Sequence, residues 1–143
     1  MPTLTDLVER IVLSGVALTS RALSGAADEE ELTFQQWRVI VVVGSSARGR
    51  TITEVAQRVG VTVPATSRQL RRLHRRGLVS VAPDPGDRRA SRAQLTTRGE
   101  NRRRQILAYR RREIRRALRS VPAAGEGGRN LLESVADAMA EFD

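Results

Sequence analysis

Val61–Leu95, VTVPATSRQLRRLHRRGLVSVAPDPGDRRASRAQL, decides how the rest of the chain is read. It reads as a helix closing in Arg75-Arg76-Gly77, then an apolar strand, a turn loaded with arginine, and a return strand. A short cationic helix followed by a cationic hairpin suits a DNA duplex. The helix fits the major groove, and the hairpin tip reaches the adjacent minor groove.

The helix sorts by angle. Thr66, Leu70 and Leu73 recur at i, i+4, i+7 and form an inward stripe. Pro64, Arg68, Arg71 and Arg75 form the opposite stripe, flanked by Ala65, Ser67 and Arg72. Thr62 is placed to cap the helix, with Pro64 in the first turn, where a missing N–H costs nothing. Gly77 ends it. Strands are expected over 78–82 and 90–95, around the turn Pro83-Asp-Pro-Gly-Asp-Arg-Arg89, which is rich in turn formers. The candidate DNA-facing residues are therefore Thr62, Pro64, Ala65, Ser67, Arg68, Arg71, Arg72 and Arg75 on the helix. On the hairpin tip they are Asp87, Arg88 and Arg89. Each has a plainer reading: an arginine run on a helix is commonly a solvated face, and Arg88 and Arg89 serve equally as turn residues. Asp87 is placed to pair with Arg89 and hold the tip in shape. His74 reads as a solvent-facing helix residue.

Upstream, Thr33-Phe-Gln-Gln36 has capping-box spacing before a helix through Trp37, Ile40, Val41 and Val43. A loop, GSSARGR over 44–50, follows. The next short helix runs from Glu54 to Val59 and stops at Gly60. Thr53 is one candidate cap for it, and Thr51 with Glu54 is the other. Downstream, Thr97-Arg-Gly-Glu100 reads as a capping box for a long helix to about Ser120, with Ile106, Leu107, Ile114 and Leu118 on its apolar side. A last helix carries Leu131, Leu132, Val135, Ala138, Met139 and Phe142. The N-terminal helix, from Thr3 to Ser24, is apolar on more than one face through Leu4, Leu7, Val8, Ile11, Val12, Val16, Leu18 and Leu23. Such a helix calls for burial on several sides. An acidic connector, SGAADEEE over 24–31, follows it. The terminal helices cannot bury their apolar faces on a sixty-residue module alone. A second copy of the chain is the natural cover.

The charge distribution agrees with this division. The chain has 143 residues and a net charge of +9, with arginine as its only strongly basic residue. From Arg68 to Arg119 there are 18 Arg against 4 acids, while the rest of the chain has 7 Arg against 12 acids. A basic block between acidic flanks is a directed electrostatic footprint. Arg102 to Arg104 and Arg110 to Arg112 lie in this block, facing phosphates, solvent or acids such as Glu29 to Glu31. With no Cys and one His, thiol redox sensing, disulfides and a multi-histidine metal site within one chain are excluded. The four aromatics, Phe34, Trp37, Tyr109 and Phe142, are too few for a base-stacking platform. No apolar run reaches membrane-spanning length and no signal-peptide pattern opens the chain, so the expected location is the cytoplasm and no membrane partner is expected. No Ser–His–acid or Cys–His arrangement and no phosphate-cradling glycine loop is present, so an enzyme is not expected. No cofactor is expected either.

Five segments in order carry a family resemblance: Leu32-Thr-Phe-Gln-Gln-Trp-Arg-Val39, Thr53-Glu-Val-Ala56, Leu73-His-Arg-Arg-Gly-Leu-Val79, Asp84-Pro-Gly-Asp-Arg-Arg89 and Leu95-Thr-Thr-Arg-Gly99. With them the chain resembles the MarR family of bacterial winged-helix transcriptional regulators over nearly its whole length. The resemblance implies a mainly α fold with a small β-hairpin wing. A winged helix-turn-helix over 32–97 would be flanked by an N-terminal dimerisation helix and connector, 1–31, and C-terminal dimerisation helices, 98–143. It further implies a homodimer on a pseudo-palindromic double-stranded operator, with the wing motif Asp87-Arg88-Arg89 in the flanking minor groove. Many members are repressors released by a small organic effector, often anionic or phenolic, bound between the dimerisation helices and the winged helix. Trp37 and Tyr109 are the candidates for lining such a pocket, and Trp37 also reads as core. The chain departs from the family at Val81 and Ala82, where strand positions often basic are apolar, and it lacks the cysteine of peroxide-sensing members. The alternative function is a sequence-neutral architectural DNA-binding protein, which the charge would equally suit.

Overall fold

The computed structural model describes residues 1–24, 31–123 and 125–140. The chain divides into two compact units, Met1–Arg110 and Arg111–Asp143. Most of the acidic connector and Phe142 lie outside the described residues.

In the first unit, α1 (Leu4–Leu23) starts at a capping box. The Thr3 hydroxyl accepts from the Asp6 N–H, and the Asp6 carboxylate accepts from the Thr3 N–H. Only its end is buried, at Thr19, Ala22 and Leu23; Leu4, Leu7, Ile11, Val12, Leu13 and Val16 are exposed. The burial on several sides that its composition calls for is thus not met among the described residues. Helix α2 (Phe34–Gly44) begins at the expected box of Thr33 and Gln36.

Helix α3 (Ile52–Val59) is capped by Thr51 and not by Thr53. Thr51 accepts from the Glu54 N–H, and Glu54 reaches back to the Thr51 N–H at 2.7 Å. The reciprocal carboxylate bond decides between the two threonines. Just before it, Arg50–Thr51 forms a strand, β1, where the sequence reads as loop. Its partner is distant in sequence, so local pattern carries no sign of it.

Helix α4 (Val63–Arg75) has the predicted layout. The Thr62 hydroxyl accepts from the Ala65 N–H, Pro64 lies in the first turn, and Thr66, Leu70 and Leu73 are its buried residues. It ends in a Schellman arrangement: the Gly77 N–H bonds the His74 carbonyl at 2.9 Å, and the Leu78 N–H bonds that of Leu73 at 3.0 Å. Gly77 takes φ +69°, which a side chain would strain.

Strands β2 (Val79–Pro83) and β3 (Ser91–Leu95) follow, β2 displaced by one residue from expectation and β3 starting one residue later. The antiparallel sheet has the order β1-β3-β2, pairing Thr51 with Arg92 and Ala82 with Arg92. Helix α5 (Thr97–Leu118) is capped by Thr96. The Thr96 hydroxyl accepts from the Gly99 N–H at 3.0 Å and donates to the Gly77 carbonyl at 2.6 Å. The expected box of Thr97 and Glu100 does not form, because Glu100 is drawn to Arg103 and Arg104. Gly99 packs so tightly on the Leu78 carbonyl that any Cβ would collide with it. This closure fixes the end of α4, the root of the hairpin and the start of α5 together.

The core joins all these elements: Leu23, Leu32, Trp37, Val39, Ile40, Val55, Leu70, Leu73, Val79, Ala93 and Ile106 are buried. The second unit contains the end of α5 and helix α6 (Glu126–Met139). No residue of α6 is buried, and Leu131, Leu132 and Met139 are exposed.

Candidate nucleic-acid interface

The exposed side of α4 follows from its buried stripe. Pro64, Arg68, Arg71, Arg72 and Arg75 are exposed, and Ala65 and Ser67 are half-buried at its edges. Arg68, Arg71, Arg72, His74 and Arg75 line an open groove on this helix. None of the four arginines has an ion pair or a side-chain hydrogen bond among the described residues. Four guanidiniums without carboxylates on a rigid helix make a surface of donors only, shaped for phosphates and for acceptor edges of bases.

His74 belongs to this groove and is more than a solvent-facing residue. Its Nδ1–H donates to the Val79 carbonyl at 3.0 Å, joining α4 to β2. The joint with α2 is also polar. Buried Gln36 accepts through Oε1 from the Thr33 N–H and from Arg76, and Gln69 donates to Gln35 at 3.3 Å. These seams anchor the flanks of α4 and leave its arginine face outward.

The hairpin tip is built by backbone bonds. The Asp84 N–H donates to the Ala90 carbonyl and the Ala90 N–H to the Asp87 carbonyl, both at 2.9 Å. Asp87 does hold Arg89, but through its backbone: Oδ1 accepts the Arg89 N–H at 2.9 Å. That leaves the exposed Arg88 and Arg89 guanidiniums pointing to solvent without a partner among the described residues. Val81 and Ala82 are exposed, so the outer strand presents no cation at the root.

Sequence reasoning missed Arg92. Its Nε–H donates to Asp84 Oδ1 at 2.7 Å, and its Nη1–H donates to the Gly49 carbonyl at 3.0 Å. The guanidinium holds the Asp84 carboxyl below the usual carboxylate range. Two signals were present. Arg92 and Gln94 share the strand face opposite buried Ala93, and Asp84 lies two residues beyond the position paired with Arg92.

The remaining arginines divide. Arg102 is buried, Arg103 and Arg104 pair with Glu100, and Arg112 pairs with Glu113. Glu29 and Glu30, named as their acidic counterparts, lie outside the described residues. Trp37 is buried in the core, and Tyr109 is half-buried against it. Among the described residues there is no cluster of three or more His, Cys, Asp or Glu able to hold a metal, and no helix long and apolar enough to cross a membrane.

Residues 31–90, covering α2 through the hairpin tip, match the model of the MarR family. Over that segment the chain is similar to the MarR family. Solved structures extend the likeness beyond the matched segment. RV1404 from Mycobacterium tuberculosis is 26% identical, with 99% of this chain and 95% of that one covered and a TM-score of 0.77. A mutant MarR from E. coli is 25% identical over 95% of this chain and 98% of its own, with a TM-score of 0.75. FabT from Streptococcus pneumoniae, solved in complex with DNA, shares the fold at 17% identity, with 96% and 93% covered and a TM-score of 0.77. No curated protein matches the chain in sequence. The architecture is therefore a winged helix-turn-helix, mainly helical with a small antiparallel wing, similar to that of MarR-family DNA-binding regulators.

Proposed function

We propose that the protein is a sequence-specific transcriptional repressor that binds a pseudo-palindromic operator as a homodimer. The observation that carries this reading is the arginine face of α4, without ion pairs among the described residues and held outward by the buried Thr66, Leu70 and Leu73. FabT, which shares the fold and was solved in complex with DNA, supports DNA binding by this fold. In this reading Arg68 and Arg72 reach base edges through paired hydrogen bonds, and Arg71 and Arg75 meet phosphates. Arg88 or Arg89 enters the narrow minor groove beside the half-site. Thr62, Pro64, Ala65 and Ser67 bring the start of the helix against the duplex.

The dimer is supported by the exposed apolar residues of α1 and α6, which a second copy would cover. Release follows if a small organic ligand, anionic to suit the arginines of α5, favours a spacing of the recognition helices other than the roughly 34–36 Å of successive half-sites. DNA and ligand then weaken each other by the same factor. The protein works by binding, with no catalytic step, in the cytoplasm.

Selection from random duplex DNA tests the core of the proposal. Enrichment of an inverted repeat, bound roughly a thousandfold or more above bulk DNA at fixed salt, is expected. Equal affinity for all sequences would overturn it in favour of an architectural protein. For the ligand, calorimetric titration of a compound that releases DNA, with and without the selected duplex, must show different affinities.

A further inference from the structure

The hairpin carries three arginines in two different states. Arg88 and Arg89 are exposed at the tip with no partner for their guanidiniums among the described residues. Arg92, on the central strand, is committed twice: to the Asp84 carboxylate at 2.7 Å and to the Gly49 carbonyl at 3.0 Å. Its side chain is 25% exposed and that of Asp84 is 13% exposed, so the pair is partly sheltered from solvent.

The position of this pair matters because of how the hairpin is attached. Strand β1 pairs with β3 through two residues only, Arg50 with Ala93 and Thr51 with Arg92. The β2–β3 ladder ends at Pro83 and Ser91, and beyond the Asp84–Ala90 bond the tip is a turn closed on itself. The tip is a cantilever whose direction depends on its root. Arg92 bonds the outgoing end of the hairpin on one side and the loop before β1 on the other. A planar guanidinium with donors in a fixed fork resists rotation better than a single contact. Gln94, two residues along the same face, repeats the device with a 2.9 Å bond to the Arg48 carbonyl.

We infer that Arg92, clamped between Asp84 and Gly49, is a positioning residue that aims the wing tip at DNA and is not itself a DNA contact. The inference rests on the proposed DNA-binding function for its consequence, though not for its mechanics. Two substitutions separate it from the contact reading by sign. Arg92→Met removes both the charge and the clamp. Asp84→Asn breaks the clamp while freeing the Arg92 charge and removing a negative one. If Arg92 contacts phosphate, Arg92→Met weakens binding and Asp84→Asn strengthens it. If Arg92 positions the tip, both variants weaken binding, by roughly tenfold on duplexes with A/T-rich flanks, as for loss of a charge-assisted contact. The preference for A/T over G/C flanks is then lost in both, while base preference inside the half-sites stays as in the wild type.

The mechanics are read without DNA. The chain has no Cys, so spin labels attach cleanly at Arg88→Cys on the tip and Gln57→Cys on exposed α3. The label-to-label distance distribution is narrow with the clamp intact and broadens in Arg92→Met and in Asp84→Asn. Unchanged distributions overturn the inference even where the duplex is bound. A broadened distribution with no sequence preference in the wild type overturns the proposed function and leaves the clamp standing. Tighter binding of Asp84→Asn overturns the positioning role in favour of contact.

Discussion

Two regions of this chain spend their apolar residues in opposite ways. From α2 to β3, Val39, Ile40, Val55, Leu73 and Ala93 are fully buried. On α1 and α6, Ile11 and Leu13 are each 62% exposed and Leu132 is 58% exposed. Both regions carry apolar residues at helical spacing, yet among the described residues one buries them and the other does not. Burial of a Leu or Ile side chain is worth about 1.5–3 kcal/mol. A row of such residues left in water is a strong drive toward association. The central module therefore presents charge, and α1 and α6 each present apolar residues that the proposed second copy would cover.

The largest effect should come from salt. A dimer placing two α4 faces and two wings on a duplex neutralises roughly 6–10 phosphates, which gives a log–log slope of about −5 to −9. Affinity should fall roughly a thousandfold or more between about 50 and 200 mM salt. A slope near −2 would mean that the arginines of α4 face away from DNA, and the division of labour between the regions would collapse. Arg71→Ala should reduce the magnitude of the slope by about one per protomer with sequence preference kept, whereas Arg68→Ala should relax preference inside the half-sites.

Core truncations give the next effect. Leu73→Ala empties a fully buried site and should cost about 2–5 kcal/mol of stability at any protein concentration. Leu132→Ala removes an exposed side chain and should cost little in dilute protein. At micromolar concentrations its effect should grow, since a partner that binds only folded chains adds stability by mass action. Urea unfolding at two concentrations checks both. Equal costs for Leu132→Ala at both would show that α6 is covered within its own chain. Trp37, the one tryptophan and a buried one, reports on the central module by fluorescence, and far-ultraviolet dichroism reports on all helices together.

The contrast also explains what was legible in the sequence. Local rules found α2 and α4: the boxes and caps of Thr33 and Thr62 act over three residues, and the stripe of Thr66, Leu70 and Leu73 follows the helical period. Local rules were weaker wherever a distant partner decides. Strand β1 exists because Ala93 and Arg92 lie opposite it. The cap of α5 is Thr96 and not Thr97, because the Thr96 hydroxyl also reaches the Gly77 carbonyl and Glu100 finds two arginines. The exposed arginine face of α4 was readable as an angle. The clamp at Arg92 needed the hairpin register, and the bond of His74 needed the turn that brings Val79 back beside it.

Removing a cap should have a smaller effect, with a sharp regional difference. Thr62→Ala deletes the hydroxyl that receives the Ala65 N–H and should cost about 1 kcal/mol. It should also fray the end of α4 proposed to meet the duplex, so DNA affinity should fall with it. Thr3→Ala deletes the equivalent bond at the exposed start of α1. It should leave both the Trp37 unfolding transition and DNA affinity nearly unchanged. Equal losses in the two variants would mean that the start of α1 is as integral to the central module as α4 is.

The smallest effect is acid sensitivity, and it too sorts by region. Among the described residues, three carboxyls are held below their ordinary values. Asp84 is lowered chiefly by its hydrogen bond from Arg92, Glu54 by the backbone and hydroxyl of Thr51, and Asp6 by the hydroxyl and backbone of Thr3. A depressed folded value means that the stabilisation is complete above the unfolded value, 3.8 for aspartate and 4.5 for glutamate, and is lost as pH falls through the folded one. The window therefore lies below about pH 4.5. Asp84→Asn and Glu54→Gln should each be less stable than the wild type near neutrality, and should converge with it in acid when Trp37 fluorescence is followed. Asp6→Asn should leave that fluorescence transition in place, because α1 is buried only at its far end. A stability difference for Asp84→Asn that stays constant from neutral pH into strong acid would mean that the carboxylate charge is not what holds Arg92. The clamp would then be a packing contact, and the wing root would resemble the terminal helices in depending on apolar cover.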